Sequence, residues 1–169
     1  MNRLLVPQTA ALLLALAAVA ILLAVLALQY LGDLPPCPLC VWQRWPYVGV
    51  AALGLVGWRW QPRPLLGLIA LLLLTTAGIG AYHVGVEQGW WALPEGCAAG
   101  AEAQTVEDLK RLLAEAPPAC DQVAFTFLGL SLAGWNVIAG IALAAYATAA
   151  ALGLGWRARQ DRAAVSRRA

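Results

Sequence analysis

The chain has 169 residues, 62% of them hydrophobic and only 12% charged, with a formal net charge of +2. A soluble domain of this length and composition would lack the polar surface to cover itself. The net charge says little, because the charged residues are segregated along the chain, and no nucleic-acid partner is expected.

Residues 4–32 carry no charge apart from their neighbours at either end. Ala18-Val19-Ala20 has the look of a cleavage site, but the apolar run continues past it to Leu28, whereas the apolar region of a signal peptide ends before cleavage. The run therefore reads as a retained transmembrane helix at about 10–31, enough to cross a hydrocarbon core of roughly 30 Å. A second span is expected at about 41–58, interrupted near its start by Gln43, Arg44 and Pro46; a third follows at about 65–82 and a fourth at about 133–155. In a bilayer every backbone polar group must pair internally, so these are helices. The expected fold class is all-α integral membrane, a four-transmembrane-helix bundle forming a single domain over 1–169. Its outer loops are about 32–40 and 83–132. The long one should carry a short surface helix: Thr105 can cap it, Val106, Leu109, Leu112, Leu113 and Ala116 share a face, and Pro117-Pro118 ends it.

Lys and Arg mark the cytoplasmic side of such a protein. Arg3, Arg59, Arg63, Arg157, Arg159, Arg162, Arg167 and Arg168 fall on one face, eight of the eleven basic residues. The opposite face holds Asp33, Glu87, Glu95, Glu102, Glu107, Asp108, Glu115 and Asp121. Both termini are therefore expected in the cytoplasm of a bacterium, with the chain in its inner membrane. All four cysteines, Cys37, Cys40, Cys97 and Cys120, then face the periplasm, where disulfides persist. Trp58, Trp60 and Trp156 would mark the inner interface; Tyr30, Trp42, Tyr82, Trp90, Trp91 and Trp135 would mark the outer one.

Cys37-Pro38-Leu39-Cys40 brings two sulfurs within bridging reach, and such spacing commonly lowers the pKa of the first thiol. Metal sites use the same spacing. Zinc sites, however, usually pair two short-spaced knuckles, whereas Cys97 and Cys120 are 23 residues apart. A purely structural disulfide suits Cys97 and Cys120 as a loop staple, but bridging Cys37 to Cys40 constrains little of the unfolded chain. Electron transfer between two disulfide pairs is the economical reading.

Pro36-Cys37-Pro38-Leu39-Cys40 with Gln43-Arg44 and Pro46-Tyr47 resembles the DsbB family of bacterial inner-membrane disulfide-bond formation proteins. So do Tyr82-His83-Val84-Gly85-Val86-Glu87 before Cys97, and Phe127-Leu128-Gly129-Leu130-Ser131-Leu132 with Trp135-Asn136 after Cys120. The resemblance runs from Gln29 to about Leu143 and leaves out the arginine-rich tail. It implies a thiol:quinone oxidoreductase that reoxidises a periplasmic thiol oxidase of the DsbA type. By that analogy the partner's thiolate attacks Cys97, Cys37–Cys40 reoxidises the reduced Cys97/Cys120 pair, and Cys40 passes the electrons to ubiquinone or menaquinone. A DsbA couple near −120 mV makes such an acceptor necessary, since each 30 mV uphill costs about 1.4 kcal/mol for two electrons. Four cysteines allow three connectivities; Cys37–Cys40 and Cys97–Cys120 are the pairs the resemblance implies at rest.

Arg44, one helical turn after Cys40, is a cofactor-binding candidate. Its guanidinium can stabilise a Cys40 thiolate and hydrogen-bond a quinone carbonyl, against the plainer alternative of snorkelling to the headgroups. His83, the only histidine, is a candidate proton donor or hydrogen-bond partner for the quinone. Gln29 and Glu87 are candidates of the same kind, Glu87 being equally readable as a solvated loop carboxylate. The competing readings are a non-enzymatic membrane scaffold with disulfide-stapled outer loops, and a paralogue serving a dedicated partner. A protein like vitamin K epoxide reductase fits less well, because its quinone-proximal cysteine pair belongs to a late span.

Overall fold

The computed structural model describes residues 6–60, 62–94, 96–97, 105–107, 110 and 118–154. Four long helices make up most of them: α1 (Pro7–Leu31), α2 (Pro38–Arg59), α3 (Pro62–Glu87) and α4 (Leu132–Ala151). Proline opens the first three, where its missing N–H costs nothing and its fixed φ suits the first helical turn. Ser131 caps α4, its Oγ accepting from the Gly134 N–H at 3.2 Å. By length and composition α1, α3 and α4 are apolar enough to cross a membrane. α2 is not among them, because Gln43, Arg44, Pro46 and its aromatic residues dilute the apolar run.

The helices run alternately up and down. The start of α2 meets the ends of α1 and α3, through Arg44 with Gln29 and Gln43 with His83. Its far end meets their beginnings: a side chain at Gly54 would touch Ala11 and Ala15, and one at Gly57 would touch Ala11 and Leu65. α4 turns back along α3, with Gly140 against Leu73 and Ala77. The core between them holds Leu14, Val50, Leu66, Ile69 and Leu73 among many alanines, including Ala10, Ala11, Ala144 and Ala147. Small residues let backbones approach closely, which is how helices associate where the surroundings are as apolar as the side chains. Leu16, Leu23, Leu71 and Ile141 point outward, as a lipid-facing surface requires.

Two features differ from the sequence expectation. α3 continues to Glu87, so His83 and Glu87 stand on its last turns and not in the loop. Before α4, Thr126–Phe127 and Leu130–Ser131 form a two-stranded antiparallel hairpin around Leu128 and Gly129, both at positive φ. That is the backbone twist favoured by two-residue hairpin turns, here with a leucine where glycine or asparagine is usual. The surface helix expected at about 105–116 lies largely outside the described residues.

Candidate functional site

Pro36 and Pro38 hold Cys37 in extended backbone as the N-cap of α2. Its sulfur takes the capping role, accepting from the Cys40 N–H at 3.2 Å, and Cys40 Sγ lies 2.9 Å from Cys37 Sγ. Both are free thiols. Cys97 and Cys120 are joined in a disulfide, closed by a hydrogen bond from the Cys120 N–H to the Cys97 carbonyl at 3.2 Å. Of the two pairings the resemblance implies, one is therefore bonded and the other is an adjacent dithiol. The pairs form a single buried cluster: Cys37, Cys97, Cys120 and Val86, with Cys40, Leu39 and Leu93 packed around them. Cys97 is only 3% exposed.

His83 is wedged between the pairs. Its Nε2 stands 3.6 Å from Cys37 Sγ and donates to the Cys120 carbonyl at 3.2 Å. Glu87, one turn on, places Oε1 3.8 Å from the same nitrogen and accepts at Oε2 from Ser131 Oγ at 2.6 Å. The negative charge of a singly ionised dithiol belongs on Cys37. The hydrogen bond with Cys40 pulls its thiol down to about 4, helped by His83 and the Cys40 N–H and opposed by burial.

On the other side of Cys40 an apolar cleft of about 110 Å³ opens between α1, α2 and α4. Ile21, Leu22, Val25 and Leu28 form its α1 wall, and Cys40, Gln43, Arg44, Tyr47 and Asn136 supply its polar groups. Arg44, half-buried, donates through Nη1 to Gln29 Oε1 at 2.7 Å, which ties its head to the end of α1. Of the residues expected at a cofactor, Cys40 and Arg44 line this cleft, and Gln29 reaches it through Arg44. His83 and Glu87 do not line it; they face a second, smaller cleft shared with Cys37 and Cys40.

Sequence reasoning missed the polar chain behind His83. Gln43 bonds His83 Nδ1 at 2.9 Å, Asn136 bonds Gln43 at 2.7 Å, and the Tyr47 hydroxyl bonds Asn136 at 2.7 Å. Thr76 closes the group by donating to the Gln43 carbonyl at 2.9 Å. The available signal was the presence of Gln43, Thr76 and Asn136 inside apolar runs, where polar side chains are costly unless partnered.

Cys37, Cys40 and His83 also have their ligand atoms within 4.8 Å of one another, the one such group among the described residues. A thiophilic cation would need a lone pair on Nε2, but that nitrogen carries a hydrogen, shared between the Cys120 carbonyl at 3.2 Å and Cys37 Sγ at 3.6 Å. The donor set suits a redox dithiol with a hydrogen-bonding neighbour better than a metal centre.

A family model described as "Disulfide bond formation protein DsbB" matches residues 7–150. Similar proteins, each called disulfide bond formation protein B, come from several bacteria. The Polaromonas sp. (strain JS666) protein is 33% identical over 146 residues, covering 82% of this chain and 86% of its own. The Verminephrobacter eiseniae protein is 34% identical over 166 residues, covering 93% and 92%. The Alkalilimnicola ehrlichii protein is 34% identical over 131 residues, covering 73% and 80%.

Proposed function

Because the chain belongs to the DsbB family of disulfide bond formation proteins, we propose that it is a thiol:quinone oxidoreductase of the bacterial inner membrane, serving a periplasmic DsbA-type oxidase. The observation that carries this reading is one buried cluster holding both cysteine pairs, with Cys40 at the edge of an apolar cleft that also contains Arg44. A stapled scaffold has no use for a free, adjacent dithiol pressed against a disulfide.

The order of exchanges is the one the family resemblance implies. The partner's dithiol gives two electrons and two protons to Cys97–Cys120 through attack on Cys97 and leaves as a disulfide. Cys97 and Cys120, now thiols, are reoxidised by a Cys37–Cys40 disulfide, which becomes the dithiol. With Cys97–Cys120 bonded and Cys37 and Cys40 free, the arrangement described above corresponds to the stage after this internal exchange. A quinone, ubiquinone or menaquinone, supplies when bound a membrane-soluble acceptor for two electrons and two protons. The apolar α1 wall fits such a molecule, and the chain's own groups would hold it: Arg44 as a cationic donor oriented by Gln29, and Asn136 and Tyr47 as further polar contacts. His83 would steady the Cys37 thiolate, and Glu87 would tie the end of α3 to the start of α4 through Ser131.

Four membrane crossings, with the cysteines periplasmic and both termini cytoplasmic, belong to the same proposal. Support comes from α2 running antiparallel between two apolar helices for its whole length, and from the basic residues at Arg59 and Arg63.

The test is to mix detergent-purified protein with a reduced DsbA-type oxidase and a ubiquinone or menaquinone analogue, following quinone absorbance beside a Cys40→Ser control. Consumption that needs both the partner and Cys40 is expected. No consumption with either quinone, with the disulfide intact, overturns the proposal in favour of the scaffold.

A further inference from the structure

The buried polar chain has a direction, and that direction reaches the sulfur. It starts from an atom whose role is fixed: the Thr76 backbone carbonyl can only accept. Asn136 Nδ2 lies 3.0 Å from it, so this atom of the amide is the nitrogen, and Asn136 Oδ1 accepts from the Tyr47 hydroxyl at 2.7 Å. Nδ2 also faces Thr76 Oγ1 at 3.1 Å and, nearest of all, Gln43 at 2.7 Å; a contact that short to a donor nitrogen identifies the Gln43 atom as the acceptor Oε1. Gln43 must then turn its Nε2 towards His83 Nδ1, 2.9 Å away. An amide nitrogen only donates, so Nδ1 is the unprotonated nitrogen of the ring.

The opposite side of the ring gives the same answer independently. Three groups face Nε2: the Cys120 carbonyl at 3.2 Å, Cys37 Sγ at 3.6 Å and Glu87 Oε1 at 3.8 Å. All three are acceptors when Cys37 is a thiolate. The imidazole proton therefore sits on Nε2, among acceptors, and a donor occupies the site where a second proton would go.

We propose that Asn136, acting through Gln43, is a positioning residue that locks His83 in the Nε2–H tautomer and so aims a fixed hydrogen-bond donor at the Cys37 sulfur. The hydrogen bond made by one ring nitrogen sets the protonation of the other, and here that bond is set in turn two residues away on α4. His83 then donates to the thiolate from Nε2, with Nδ1 turned to the Gln43 amide. The role rests on the redox reading of Cys37, but the tautomer itself does not.

Because His83 is the only histidine, protein labelled with ¹⁵N-histidine and purified on a histidine-free tag gives one pair of ring nitrogens. Their shifts and proton couplings identify the protonated nitrogen directly, with no partner or quinone present, so failure here is distinct from failure of the quinone assay. Protein with Cys37 and Cys40 reduced should show Nε2–H alone. Asn136→Leu, which keeps the side chain's shape and removes its donor, should replace that single state by a mixture of tautomers. Gln43→Glu, which presents an acceptor to Nδ1, should bring a proton there. An Nδ1–H ring in the unsubstituted protein overturns the proposal without any variant. An unchanged Nε2–H ring in both variants overturns the part given to Asn136 and Gln43.

Discussion

Cys37 stands just before the first turn of α2, with two N–H donors directed at its sulfur and the Cys40 thiol beside it. Its ionisation shifts from the ordinary 9.0 to about 4, the hydrogen bond with Cys40 being the largest cause. The sign of the linkage follows: the folded value lies below the unfolded one, so thiolate formation adds its full stability to the reduced protein only above about pH 9. That contribution shrinks as pH falls and is gone below about 4. In an ultraviolet titration of the reduced protein, the first proton of the dithiol should leave near pH 4, and Cys37→Ser should abolish that step. A first step near pH 9 would show that the donors do not reach the sulfur. Arg44 makes a second test. A charge-assisted hydrogen bond contributes about 1.5–3 kcal/mol, so Arg44→Ala should lower kcat/KM for quinone by about 10- to 150-fold. The rate at which the partner's dithiol reduces Cys97–Cys120 should stay unchanged in single-turnover mixing. Equal losses in both steps would make Arg44 a structural residue only. Arg44 and the cysteines were legible in the sequence because a charge or a thiol at the lip of an apolar run stands out. The Gln43–Asn136–Tyr47 chain was not, since it exists only once α2, α3 and α4 are set side by side.

Helix positions were legible for a different reason: a chain that must satisfy its backbone inside a bilayer has almost no alternative to the helix. The expected 41–58 and 65–82 became Pro38–Arg59 and Pro62–Glu87, each starting at a proline just before the apolar run. The extension of α3 to Glu87 escaped notice because His83 and Glu87 interrupt the apolar pattern, although both side chains are buried against other elements. The hairpin before α4 was invisible because each strand has two residues and its turn places Leu128, not a glycine, at a positive φ of 51°. How tightly the elements pack is a separate matter, and one position tests it. A methyl group at Gly54 would lie 2.6 Å from the Ala11 carbonyl oxygen and 2.8 Å from Ala15 Cβ, so α1 and α2 would have to separate. Overpacking of this kind costs about 1–3 kcal/mol. Gly54→Ala should therefore lower the unfolding temperature in detergent, while Gly67→Ala, with nothing within 4 Å, should not. If Gly54→Ala is as stable as the unsubstituted protein, the close approach of α1 and α2 is wrong.

At the scale of the whole molecule, whether α2 crosses the membrane decides which side every loop occupies. Composition alone selects three helices. If α2 lay along the outer surface, the chain would cross once at α1, again at α3 and again at α4. The turn at Trp60 would then be periplasmic, and the Cys97–Cys120 loop would be cytoplasmic, where disulfides are rare. The packing argues otherwise. Gly54 and Gly57 near the end of α2 meet Ala11 at the start of α1, while Arg44 near its beginning meets Gln29 at the end of α1. A helix paired in this way along an apolar helix supports the four-crossing proposal, and two of the residues that dilute its composition, Gln43 and Arg44, have partners on α3 and α1. The two arrangements predict opposite labelling. In a chain whose own four cysteines are replaced by serine, Leu128→Cys and Trp60→Cys introduce single thiols at positions 77% and 72% exposed. With four crossings, a membrane-impermeant maleimide added to intact cells from which the outer membrane has been removed should label Leu128→Cys at once. It should label Trp60→Cys only after the inner membrane is opened. With three crossings the order reverses, and the two cysteine pairs could not share one compartment with a periplasmic partner.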